Sequence, residues 1–317
     1  MRSRSLLGWL ILSGLVTVAG CSSHPAPPTA PAPPAAADLD IAAAVLTTDV
    51  RTLRDGWRLF SAQQKLVAEC MHSHGLQYLV TDPGPEPTAG TVTAEAIGGG
   101  RPATYGIAAE LSAQGNGGNT IPAQDQYVRH LPLAQQGRYE QALGGSPNAL
   151  QMLRLASGIE VQYRTGGCVG QARRRLFGSV ETALRDSMVP QDVGQTFDAF
   201  LSSEATYHSA LSSWQRCMAG AGWSYTNPRA AIKALGSLSA QGTSLKRLSA
   251  RETVVAMADS RCDKRSHLRD TRRLELTKFL RQQPNSLIQQ LLRVDEARRR
   301  AVQVAVRVLA GAPVSSP

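Results

Sequence analysis

With 317 residues and a formal charge of +10, from 34 Lys plus Arg against 24 Asp plus Glu, the chain can bury one large core or two modest ones. That excludes a miniature scaffold held together by cysteines alone. Arg outnumbers Lys 29 to 5 in a chain rich in Ala and Gly, a bias that fits a GC-rich coding sequence, so the basic balance does not by itself define a partner.

Met1–Ser5 is short and basic through Arg2 and Arg4, Leu6–Val18 is apolar, and Val18-Ala19-Gly20-Cys21 sets small residues before a cysteine. The apolar run is too short and too weakly flanked for a permanent span. In this order the three parts resemble the lipobox of bacterial lipoproteins. The small residues would enter a peptidase cleft and the Cys21 thiol would accept diacylglycerol. The plainer alternative is a secretory leader cut near Ala19. The expectation is a signal peptide over 1–20, a lipidated Cys21, and attachment to the outer face of the cell membrane. Ser22–Ala37 holds six prolines among Ala, Ser and Thr. Such a segment favours extended polyproline geometry and buries no core, so 21–37 reads as a tether.

Residues 38–310 are expected to form a helical extracytoplasmic domain with halves at 38–190 and 191–310, and 311–317 a disordered tail. Asp40–Trp57 is weakly patterned and holds at most a short helix. Ser61–His74 reads as a helix opened by a Ser61/Gln64 capping box and stopped by Gly75. Thr81–Gly90 reads as turn, and the glycine runs of 91–125 as long exposed loops without a phosphate-binding pattern. Helices are predicted over Pro132–Leu143, Asn148–Ala156, and Cys168 to about Ser187. The clearest helix, Asp198–Ala219, carries Trp214, Cys217 and Met218 on one apolar stripe. Ala230–Leu235 makes one or two turns and Ser237–Ser244 a loop. Leu245 to about Gln282 is helical with a break near Ser266, and Asn285–Leu309 is a last helix seeded by Pro284. Strand signals are sparse.

Of five cysteines, Cys21 is assigned to lipid. Cys70, Cys168, Cys217 and Cys262 then remain, an even number in an oxidising compartment, with three pairings open. Cys70-Met71 and Cys217-Met218 each end a helix, and each is followed by Gly five residues on and Tyr eight residues on, then by a proline turn. A later helix bears one further cysteine in each case. The repeat reads as a duplicated helix-loop-helix unit stapled internally, which predicts Cys70–Cys168 and Cys217–Cys262. The fold class is therefore mainly α, a disulfide-stapled helical domain with long glycine-rich loops.

Several marks recur in one order: Lys65–Met71 with Gly75 and Tyr78; Tyr139-x-x-Ala142-Leu143-Gly144; Gly167-Cys168 with Ala172 and Leu176; Trp214-x-x-Cys217-Met218 with Gly222 and Tyr225; and Ala256-x-Ala258-Asp259-x-x-Cys262. Together they make the chain resemble a group of uncharacterised actinobacterial secreted proteins and lipoproteins. The resemblance implies export, paired cysteines and a helical domain. It implies no activity and no catalytic residue.

Chemistry-bearing patterns are few. His72 and His74 are two apart and point in different directions on a helix, His24, His130, His208 and His267 are scattered, and no GxSxG elbow occurs; no metal or cofactor is expected. Between Arg251 and Arg300, thirteen Lys and Arg face seven Asp and Glu. Arg269, Arg272, Arg273, Arg298, Arg299 and Arg300 on the last helices are candidates for binding anionic headgroups or wall phosphates; solvated arginines with local acidic partners are the alternative. The expected function is a membrane-anchored, noncatalytic binder of an envelope protein or cell-wall polymer. Anionic lipid or wall-phosphate binding and an unrecognised envelope enzyme are the alternatives. A nucleic-acid partner is not expected outside the cell.

Overall fold

The computed structural model describes residues 34–84, 86–87, 104–108, 111 and 123–311. The leader, Cys21, the tether before residue 34, most of the glycine-rich stretch and residues 312–317 lie outside them. The described elements, in order, are α1 (Ala36–Val45), α2 (Val50–Ser73), α3 (Ala123–His130), α4 (Leu133–Gly144), β1 (Leu150–Arg154), β2 (Glu160–Arg164), α5 (Gly167–Phe177), α6 (Val180–Leu201), α7 (Ala205–Gly220), α8 (Pro228–Ala240), α9 (Leu245–Ser266), α10 (Leu268–Arg281) and α11 (Asn285–Leu309). The protein is mainly helical, as its periodicity predicts. Among the described residues no helix is long and apolar enough to cross a membrane.

Local chemistry explains where the elements differ from expectation. Helix α2 begins eleven residues before Ser61 because Asp49 caps it, accepting the Thr52 N–H at 2.7 Å. Gln64 lies inside that helix and accepts instead from the Tyr78 hydroxyl at 3.1 Å. Residues 148–156 are not helical. β1 pairs antiparallel with β2, Met152 opposite Gln162, and Gly158 at φ 88° closes the turn by donating to the Leu155 carbonyl. This matches a three-residue hairpin with glycine in the left-handed position. Gly178, at φ 80°, stops α5. Ser179 then caps a separate α6 through the Thr182 N–H at 2.9 Å, which shifts the start of the next helix to Ala205. Helix α8 starts at an Asn227 cap followed by Pro228 and runs on to Ala240. The predicted break near Ser266 is His267, in the left-handed region at φ 53°.

Helix α11 is the spine. Its first half packs with α1, α6, α10 and the hairpin in one apolar cluster that includes Ile288 and Leu291. Its second half, through Ala301, Ala305 and Val308, joins α2, α4 and α5 in another. A third cluster unites α7, α8 and α9 around Trp214 and Leu248. The division at 190/191 is therefore corrected: it falls inside α6, and residues from Pro34 onward form one compact unit.

Both disulfides join helices as the repeat predicts, Cys70–Cys168 and Cys217–Cys262, with Cα atoms 5.5 and 5.4 Å apart. The repeated segments fold alike. Leu76 N–H donates to Met71 O and Gly75 N–H to His72 O; Trp223 donates to Met218 O and Gly222 to Ala219 O. Each is a Schellman stop with glycine in the left-handed region. The second limbs differ: Cys168 opens α5, whereas Cys262 lies near the end of α9. Gly145 and Gly167, both at positive φ, let the end of α4 cross the start of α5 beside Cys168. A Cβ on Gly145 would meet the Gly166 carbonyl carbon at 2.7 Å. That close approach accounts for Gly145, Gly166 and Gly167.

Within the glycine-rich stretch, Thr104–Ala108 is not an exposed loop. Fully buried Glu252 accepts the Ile107 and Ala108 N–H groups, each at 3.0 Å, and the Thr104 hydroxyl. Tyr105 donates its hydroxyl to Asp259 at 3.0 Å. Residues 123–130, partly assigned to the same loop, form α3.

Candidate functional site

The six candidate arginines do not form one anion-binding face. Arg269 bridges Asp259 and Asp263 at 3.0 and 3.1 Å. Arg272 meets Asp198 at 2.9 Å and lies over the Phe197 ring, and Arg273 pairs with Asp270. Arg298 meets Asp186 at 2.8 Å, Arg299 pairs with Asp295 and Arg300 with Glu296. Consecutive helical positions step about 100° around the axis, so Arg298, Arg299 and Arg300 face three directions. Each has a carboxylate partner: Arg273, Arg299 and Arg300 within a turn of the same helix, Arg269, Arg272 and Arg298 on another helix.

What the fold does build is an open groove of about 1060 Å³ between the hairpin turn, α6 and the first two-thirds of α11. Its floor is apolar, from Leu155, Val193, Leu287 and Val294. Hydroxyls and amides from Ser157, Thr182, Thr196, Ser286, Gln283 and Gln290 line the walls. Among its described lining residues there is no His, Cys, Lys or Tyr. Three of its four arginines are matched locally: Arg154 faces Glu160 across the hairpin at 3.8 Å, Arg185 meets Glu181 at 2.7 Å, and Arg300 pairs with Glu296. Two lining charges are unmatched. Arg293 has no carboxylate partner among the described residues. Asp192, 5% exposed, takes the Ser157 N–H on Oδ2 at 3.1 Å, while its Oδ1 has no hydrogen-bond partner.

A second aspartate on α6 shows that this is not how the chain treats every buried acid. Asp186 is 7% exposed. Burial pushes its carboxyl above the ordinary range and Arg298 draws it partly back. Arg298 Nε donates to Oδ1 at 2.8 Å and Nη2 to Oδ2 at 3.3 Å. Nη2 also donates to the Asp186 carbonyl at 3.1 Å. Pro190 lies four residues on in the same helix and has no N–H to give that carbonyl. Arg298 thus answers both the buried charge and the acceptor freed by proline, and the helix continues through Pro190.

Elsewhere the titratable clusters are structural. Burial also raises the Asp259 carboxyl, offset by Arg269 and by hydrogen bonds from Trp214 and Tyr105. The ligand atoms of Cys70, His74 and Cys168 lie within 4.8 Å of one another, but both sulfurs are joined in the disulfide and offer no thiolate. Neither Asp192 nor Arg293 stands out in the sequence as a site. The helix bearing Asp192 is masked there by Pro190, and Arg293 is one arginine in a crowd. No protein-family model, curated protein or solved structure matches the chain.

Proposed function

We propose that the protein is a lipid-anchored, extracytoplasmic binding protein, cut before Cys21 and tethered by the proline-rich segment that precedes α1, which begins at Ala36 inside the expected 21–37 tether, and that its groove between the hairpin and α11 holds a segment of cell-wall polymer. The supporting observation is the groove: open, with an apolar floor, polar groups and arginines along its walls, and a volume at the upper end of the roughly 300–1,000 Å³ typical of ligand pockets. Among the described lining residues the carboxylates are Asp192 and Glu296, the latter engaged by Arg300, and the groove is read as a binding site. The proline-rich segment would carry the domain away from the lipid, toward the wall.

Two measurements test this. Mass spectrometry of the mature protein should find an acylated Cys21 at the N-terminus; Ser22 or Met1 there rejects the anchor. Purified wall material should sediment with the full chain, and Ser286→Trp, at an exposed lining position, should abolish that. Binding unchanged by Ser286→Trp places the contact elsewhere.

A further inference from the structure

We infer that the groove is selective for a zwitterionic segment, a short peptide carrying a free ammonium and a free carboxylate, with Asp192 receiving the ammonium and Arg293 the carboxylate. The inference rests on the groove being the binding site. Its own ground is the pattern of unmatched charge. The arginines of the groove other than Arg293 are matched by Glu160, Glu181 and Glu296. Among the described lining residues, what is left is one exposed cation on α11 and one buried anion on α6 beside the hairpin turn. A polyanion would satisfy the first and be repelled by the second.

Buried carboxylates are ordinarily paired or fully hydrogen-bonded, and an exception calls for a cause. Six residues earlier in α6, Asp186 receives two hydrogen bonds on its carboxylate and one on its carbonyl from one arginine. Asp192 has arginines lining the same groove and an ion pair with none of them among the described residues. Its one bond, from the Ser157 N–H, fixes Oδ2 and leaves Oδ1 to accept. A charged donor compensates a buried carboxylate better than a hydroxyl or amide does. Because Oδ1 is enclosed beside the hairpin turn, the donor must be small and the turn must give slightly, which favours an ammonium over a guanidinium. Arg293 is exposed and presents the planar fork suited to a carboxylate.

The test is calorimetric titration of the full chain with a tetrapeptide bearing one side-chain amine and two carboxylates, then with its amine-acetylated and carboxyl-amidated forms. In the wild-type protein each modification should weaken binding on the order of tenfold. Asp192→Asn should erase the effect of acetylation and keep that of amidation, and Arg293→Ala should do the reverse. This crossover is a readout that a merely structural role for either residue would not produce. If a variant fails to fold, the modified peptides on wild type carry the test. Peptide binding indifferent to acetylation, with wall material still lost on Ser286→Trp, overturns the inference and leaves the binding reading standing. If neither wall material nor peptide binds, both fall.

Discussion

The crossing of α4 over α5 makes a sharp quantitative demand. In Gly167→Ala the new Cβ would sit on a residue at φ +65° and 2.7 Å from the Gly144 carbonyl carbon. The left-handed backbone costs about 1–2 kcal/mol for a residue with a Cβ. Forcing two backbones apart costs about 1–3 kcal/mol more, because no flexible side chain is there to yield. Gly75→Ala is the control. It has φ +70° at a Schellman stop and nothing within 4 Å of the added Cβ, so it incurs the backbone cost alone. Both substitutions also restrict the unfolded chain to the same extent, and that effect cancels in the comparison. Urea unfolding should therefore show Gly167→Ala less stable than Gly75→Ala by about 1–3 kcal/mol. Thermal midpoints should separate by about 2–4 °C per kcal/mol. Equal losses in the two variants would refute the close approach as the reason for glycine at 167.

Other outcomes follow from the same contacts. Replacing Cys70 and Cys168 by Ala releases a loop of 98 residues, and replacing Cys217 and Cys262 one of 45. By chain entropy these cost about 4.7 and about 4 kcal/mol, so denaturant titration should rank the first pair as the larger loss; a reversed order rejects that account. Arg298→Ala strands the Asp186 charge and the carbonyl below Pro190, and should destabilise by about 3–5 kcal/mol. Restoring unfolding behaviour with Pro190→Ala in that background would show how much belongs to the carbonyl; no recovery assigns the loss to the carboxylate. Burial raises the Asp186 pKa in the folded state, so the folded protein binds a proton the unfolded chain has released. Its contribution to stability is fully present below the unfolded value and falls as pH rises through the folded one. The advantage of wild type over Asp186→Asn should shrink as pH is raised from about 4. An advantage that grows means that Arg298 outweighs desolvation.

The parts of the fold legible in sequence are those fixed by neighbours. Helix α11 is bounded by Pro284 and Gly311, the break between α9 and α10 falls at a residue able to take the left-handed conformation, and the two Cys-Met segments announce matching Schellman stops. The illegible parts depend on distant partners. The hairpin lacks alternation because each strand buries one residue, Leu153 and Tyr163. Helix α6 looks broken at Pro190, and the side chain that repairs it comes from Arg298, 112 residues away. Tyr105 is held in place by Asp259, 154 residues away.

The candidate site illustrates the same division in electrostatic terms. Sequence counts charges, and the count points to α10 and α11. Function depends on which charges stay unmatched after folding, and that is decided by geometry across elements. Exposed i,i+4 pairs such as Arg300–Glu296 contribute little to stability, but their carboxylates offset the arginine charge presented to a ligand. The long-range pair Arg298–Asp186 does the same. The surplus of thirteen basic over seven acidic residues between Arg251 and Arg300 thus overstates what the groove offers. Within it, one unmatched arginine and one unmatched aspartate remain, so recognition there is expected to turn on the spacing of opposite charges in the ligand rather than on its net charge.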